Sequence, residues 1–213
     1  RGGAARGDAV KVLWVQDMSP FKRQGGAQLT DYRHIVEGIR RGHEVDVMAV
    51  EDGAMDPEAP CDVAIVSNAV NVPATFFQRL VARGVPMVWF FHACDCRWRL
   101  FYPMRDKCRA CYLRDRRLPY YLRAQLLIWL SPLHRQSWLF EYPELAESPH
   151  ALVPSPVSDK NFFPMGMERK GVLVPSGLLE FKGRANILRW AEQHPDVPIT
   201  AIRYGEEEPL RLP

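Results

Sequence analysis

The 213-residue sequence lacks any long hydrophobic run: no stretch approaches the roughly 18 consecutive apolar residues that a membrane-spanning helix requires. The longest candidates, around Pro86–Phe91 and Ala124–Leu130, have the length of a buried strand or an amphipathic helix. The start, Arg1-Gly2-Gly3-Ala4, has no signal-peptide-like apolar core and no initiator Met. Cysteine is scarce. Four of the five fall between Cys94 and Cys111, with Cys61 apart, and an odd count so grouped fits a reducing compartment better than a disulfide framework. A cytoplasmic protein is therefore expected, at most peripheral at a membrane. Repeats and low-complexity tracts are absent as well. Hydrophobic residues at 47% and charged residues at 25% exclude disordered and fibrous classes.

Charge of one sign is also scarce overall, because the formal net charge is only +3. It is unevenly placed. The stretch from Arg97 to Arg123 holds nine basic residues against Asp106 and Asp115, a local +7 that leaves −4 for the remainder. Trp98, Phe101, Tyr102, Tyr112, Tyr120 and Tyr121 are interleaved with these cations. Arginine among aromatic rings suits nucleic-acid backbones and bases, and it suits anionic lipid headgroups equally. A solvated basic rim is the plainer reading.

What is present is a strand–helix rhythm. Lys11–Gln16 is a β-branched apolar run that reads as a buried parallel strand. A glycine-containing loop follows, then a helix over Ala27–Arg41 with Leu29, Ile35, Val36 and Ile39 at helical spacing and Gly42 just past its end. Strands over Glu44–Val50 and Cys61–Ser67, a helix over Ala74–Arg83 closed by Gly84, and a strand over Val85–Phe91 continue the pattern. Alternation of this kind predicts βαβ units around a parallel sheet. Beyond Phe91 the spacing predicts a Cys- and Arg-rich insertion (92–123), a helical stretch around Pro119–Leu130, a helix over Leu133–Phe140 and a short strand over Ala151–Pro154. A second βαβ start follows a linker: strand Gly171–Pro175, helix Arg184–His194, strand Ile199–Tyr204. The boundary is expected near residue 165, giving a Rossmann-like domain over 1–165 with helices on both sheet faces and a partial second lobe over 166–213.

Several groups are candidates for chemistry. Gly25 and Gly26 precede the first helix, where glycine lets backbone approach a ligand and the helix N-terminus favours phosphate; a glycine loop serving only the turn is the alternative. Lys182, Gly183 and Arg184 begin the later helix, a poor place for cations unless an anion binds there. His92 follows the fourth strand, at the carboxyl edge where open α/β sheets bind ligands. Cys94-x-Cys96 and Cys108-x-x-Cys111 form two closely spaced thiolate pairs, the composition of a structural tetrahedral zinc site. Free core thiols, a local disulfide and an iron–sulfur cluster are the other readings. Cys61 is expected to be a buried thiol of the third strand.

The order of these segments resembles the family-four retaining glycosyltransferases of GT-B fold. The opening strand, Gly25-Gly26-Ala27-Gln28 and the helix ending Arg41-Gly42-His43-Glu44-Val45 look like that family's "GGAE-like loop, helix, RGHEV" entrance. Val157-Ser158-Asp159 with Phe163-Pro164 is similar to its interdomain segment, and Val172–Gly177 with Phe181-Lys182-Gly183 to the start of its donor lobe. Tyr204-Gly205 takes the place of the following strand and glycine turn. The resemblance implies transfer of a sugar from a nucleotide-diphosphate donor to an acceptor held by the N-terminal domain. It places His92 as the catalytic-site residue contacting donor sugar or acceptor, and Gly25, Gly26, Lys182, Gly183 and Arg184 on the donor diphosphate. Two departures stand out: Leu178 replaces the usual Arg, and the family's paired-glutamate motif is missing from these residues, so the donor lobe reads as truncated. With the basic insertion beside the cleft, an anionic acceptor (DNA, a lipid-linked sugar or a phosphorylated glycan) is expected. The alternative is a non-catalytic nucleic-acid-binding or scaffold protein that keeps a GT-B half-fold and a metal-pinned basic loop.

Overall fold

The computed structural model describes residues 8–22, 26–53, 55–92, 116–156, 171–174, 184–201 and 210–212. The chain divides into two compact units, Arg1–Val157 and Ser158–Pro213.

In the first unit, β1 (Lys11–Gln16), β2 (Glu44–Ala49), β3 (Val63–Ser67), β4 (Met87–Phe90), β5 (Leu126–Trp129) and β6 (His150–Leu152) form one sheet in the order β2-β1-β3-β4-β5-β6. Every pairing is parallel. The helices are α1 (Gly26–Arg40), α2 (Ala74–Ala82) and α3 (Pro132–Glu141), and residues 116–121 are also helical. Successive side chains on a strand face opposite ways. Leu13, Val15, Ala64, Val66, Met87, Trp89, Leu127 and Trp129 thus share one core with Phe76, Phe77 and Leu80 of α2 and Trp138 of α3. Trp14 and Phe90 turn to the other face and pack on Ile35 of α1. The unit is a Rossmann-like α/β sheet covered on both faces, which is why its strands read as continuous apolar runs.

Turn chemistry sets the helix ends. Gly42 and Gly84 adopt φ of +93° and +70°, the left-handed conformation that ends α1 and α2 without a Cβ clash. Ser131 caps α3 by accepting from the His134 amide at 3.1 Å, with Pro132 in the first turn. Glu37 bonds Arg40 and Arg41 on the exposed side of α1, and these two guanidinium groups hold its carboxyl down at about 2.

Three expectations need correction. The stretch Pro119–Leu130 is not one helix: helical structure ends at residue 121 and Leu126–Trp129 is the fifth strand, paired with β4. The apolar periodicity of α1 marks the buried face only at Ile35: Leu29, Val36 and Ile39 are exposed, and Thr30 and Asp31 are buried beside Ile35. Cys61 lies ahead of β3 and is only partly buried.

In the second unit, β7 (Val172–Val174), α4 (Arg184–Gln193) and β8 (Ile199–Ala201) make a parallel βαβ unit, and β9 (Leu210–Leu212) adds antiparallel to β8. Ile187 and Ala191 of α4 pack on Ile199 and Ala201. Gly171 (φ +77°) enters β7, and a Cβ there would collide with the Pro198 carbonyl, which accepts the Val172 amide at 2.9 Å.

Candidate functional site

In a sheet of this order the chain leaves β1 toward β2 on one side and toward β3 and beyond on the other. That reversal opens a crevice at the carboxyl ends of β1 and β3, the ordinary ligand position in open α/β sheets. A cavity of about 250 Å³ lies at this edge. Its wall includes Asp17 and Met18 after β1, Gln28 of α1, Asn68–Val70 after β3, and Phe91 and His92 after β4. Trp89, Tyr121 and Trp138 supply much of the rest. These rings form a packed platform: Phe91 and Trp138 lie 4.0 Å apart between centroids, and Trp89 and Tyr121 lie 4.7 Å apart. A mainly aromatic wall with a few fixed polar groups is the usual make-up of a small-molecule site.

The two loops at the switch point are tied together. Asp17 accepts from the amides of Val70 (2.9 Å) and Asn71 (2.8 Å), and its own amide donates to the Asn68 carbonyl at 3.2 Å. Asn68 takes φ +45°, a left-handed conformation that Asn tolerates better than most residues. Arg117, almost fully buried, donates to the carbonyls of Val70 (3.0 Å) and Val72 (2.9 Å), with its guanidinium 4.8 Å above the Phe77 ring. Burial pushes the Asp17 carboxyl above its ordinary value, against the backbone bonds and the Arg117 charge that pull it down.

Behind the crevice, on the α1 face, lies a buried polar chain. Ser67, the last residue of β3, donates to Asp31 Oδ2 at 2.8 Å, and Asp31 Oδ1 lies 2.8 Å from His92 Nε2. The Asp31 side chain is fully buried and that of His92 is 5% exposed. The His92 ring also sits 4.6 Å from Phe90. His34, one turn along α1, meets Phe90 edge-on at 5.2 Å, and its Nε2 is buried with no hydrogen-bond partner among the described residues. The Gln16 amide, at the carboxyl end of β1, is likewise buried with neither atom paired among those residues.

Burial holds the His34 imidazole below its ordinary pKa of 6.5; the neighbouring Asp31 opposes this and His92 adds to it. The folded chain therefore binds this proton less readily than the unfolded chain does. The stability so contributed is present above 6.5 and is lost as the pH falls below it. His34→Phe should flatten that acid-side loss, which urea-unfolding midpoints on either side of 6.5 would measure. Asp17 works in the opposite sense at lower pH, its raised carboxyl favouring the fold below 3.8 and losing that contribution as the pH rises.

Of the residues singled out from the sequence, His92 and Gly26 sit at the same carboxyl edge of the sheet, His92 in the crevice wall and Gly26 opening α1. A Cβ on Gly26 would meet nothing within 4 Å, so the surrounding packing does not itself require glycine. Arg184 opens α4 in the second unit. Gly25, Cys94, Cys96, Cys108, Cys111, Lys182 and Gly183 lie outside the described residues, as does most of the basic insertion. Among the described residues there is no group of three or more metal-ligating side chains, and no helix is long and apolar enough to cross a membrane. Sequence reasoning missed Asp31 and Ser67 altogether. The available signal was an aspartate four residues before Ile35, on the face that α1 turns to the sheet.

The fold defines a class, a doubly wound parallel α/β unit with a crevice at its switch point. The chain matches no family model and no curated protein.

Proposed function

We propose that this chain carries the acceptor-side domain of a GT-B glycosyltransferase together with the start of a donor-binding lobe, and that it transfers a sugar from a nucleotide diphosphate to an acceptor seated in the crevice. The observation that carries the reading is the switch-point crevice itself, where an aromatic platform faces one carboxylate-backed histidine. Trp89, Phe91, Tyr121 and Trp138 are buried in the core and give the crevice an apolar floor, over which a polyhydroxylated ring would direct its hydroxyls to the few polar groups. His92 supplies hydrogen bonding and charge stabilisation. The βαβ unit of residues 171–201 supports the donor-lobe assignment through its helix N-terminus at Arg184, with Lys182 and Gly183 just ahead. Backbone amides and cations there suit a diphosphate. A structural zinc held by Cys94, Cys96, Cys108 and Cys111 would pin the basic insertion, and an anionic acceptor fits that insertion's charge.

Titration calorimetry with a panel of nucleotide sugars tests the reading. With only Lys182, Gly183 and Arg184 offered to the diphosphate, these 213 residues are expected to bind a nucleotide sugar weakly and to turn it over negligibly. Loss of the Lys182 charge in Lys182→Ala should weaken that binding by about tenfold or more, the scale of one charge-assisted hydrogen bond. His92→Ala should weaken donor binding less and act mainly on transfer. Micromolar binding by these 213 residues, or a larger binding loss in His92→Ala than in Lys182→Ala, would overturn the assignment.

A further inference from the structure

His92 reaches the crevice wall already engaged on one side. Its Nε2 is 2.8 Å from Asp31 Oδ1, and the other oxygen of the same carboxylate takes the Ser67 hydroxyl at 2.8 Å. Nothing about these three residues is local: Ser67 ends β3, Asp31 belongs to α1 and His92 follows β4. The carboxylate is fully buried, and a buried acid at the interface of a helix and a sheet is retained only with partners that use its lone pairs. Ser67 and His92 are such partners. In a neutral imidazole one nitrogen carries the proton and the other accepts, and the bond made by one fixes the role of the other.

We infer that Asp31 is a positioning residue: its carboxylate holds His92 in the Nε2–H tautomer, leaving Nδ1 as the hydrogen-bond acceptor offered to a ligand hydroxyl in the crevice. The ligand class that fits is a polyol, meaning a sugar hydroxyl of donor or acceptor, and the role in transfer rests on the glycosyltransferase reading above. Ser67 orients the carboxylate and leaves its charge in place. The groups facing His92 are Asp31 and His34 from α1, Ser67 from β3 and the Phe90 ring from β4, with Asp17 and Arg117 across the cavity. Asp31 is the one bonded to the ring. A donor at Nδ1 would instead match a ligand carboxylate or phosphate, so the tautomer decides which chemistry the crevice takes.

Long-range proton–nitrogen correlation spectra of the histidine rings, recorded on the 213-residue chain without any ligand, read the tautomer directly. Wild-type protein is expected to show His92 protonated at Nε2 and bare at Nδ1 when neutral. Asp31→Asn removes the charge at constant shape. An asparagine amide can turn either its oxygen or its NH2 to the ring, so the Nδ1–H form of His92 should become populated beside the Nε2–H form. Ser67→Ala keeps the carboxylate and should keep the tautomer. A wild-type ring protonated at Nδ1 overturns the proposal even if Asp31→Asn fails to fold, and so does an unchanged tautomer population in a folded Asp31→Asn. Correct spectra together with micromolar nucleotide-sugar binding would sink the donor-site reading and leave the positioning of His92 standing.

Discussion

Replacing Phe77 with alanine is expected to lower the stability of the 1–157 unit by about 3–5 kcal/mol, the range for deleting a buried aromatic ring. Phe77 is completely buried in α2, and its ring neighbours Trp89 at 5.2 Å, Tyr120 at 5.5 Å and Phe76 at 5.8 Å. No other side chain can collapse into the gap cheaply, because the neighbours are themselves large and mutually packed. The same ring is the floor under Arg117, whose guanidinium ties down the carbonyls of Val70 and Val72. The change should therefore loosen the crevice wall as well as the core. Thermal unfolding should shift down by roughly 10 °C, given about 2–4 °C per kcal/mol for a unit of this size. Phe140→Ala is the control: that side chain is 85% exposed, and its loss should move stability by no more than about 0.5 kcal/mol. Equal effects from the two substitutions would contradict the placement of α2 and α3.

The second large effect is expected in the other unit. Gly171→Ala sets a Cβ against the Pro198 carbonyl and forces alanine into a left-handed backbone. The backbone strain alone is of the order of 1–3 kcal/mol. The collision falls on the oxygen that accepts the Val172 amide at 2.9 Å, the bond that starts the β7–β8 register. A unit spanning Ser158–Pro213 is short for an independent core, so a loss of this size is a large share of its stability. Hydrogen exchange should show protection vanishing at Val172–Val174 and Ile199–Ala201 while β1 to β6 stay protected. Retained protection in β7 and β8 would show that the turn accommodates a side chain.

Much of the first unit was legible because its signals are local. β1 is bounded as the apolar run Lys11–Gln16 marks it, and Gly42 and Gly84 end their helices through backbone conformations that favour glycine. The fifth strand was hidden for the opposite reason. Leu126, Leu127, Ile128 and Leu130 fit a buried helix as well as a buried strand, and only pairing with β4, more than thirty residues earlier, decides between them. Of the apolar residues spaced along α1 only Ile35 packs on the sheet, because the helix also turns Thr30 and Asp31 inward and leaves Leu29, Val36 and Ile39 exposed. Asp31 meets Ser67 and His92 across separations of 36 and 61 residues, so no motif spacing could announce them. His92 could be singled out because its position just past a strand has a topological meaning, while the position of Asp31, which bonds it, has none.

The outermost strand of the sheet, β2, has one flank turned away from β1. Its exposed residues, Glu44 and Asp46, are both acidic, and Lys11 of β1 reaches them at 2.9 and 3.6 Å. An incoming strand from another copy of the chain would have to bring its own side chains beside two carboxylates that one lysine only half neutralises. If that strand is the β2 of the other copy, its own Glu44 and Asp46 would be set beside these carboxylates, a like-charge seam that disfavours growth of the sheet from this edge.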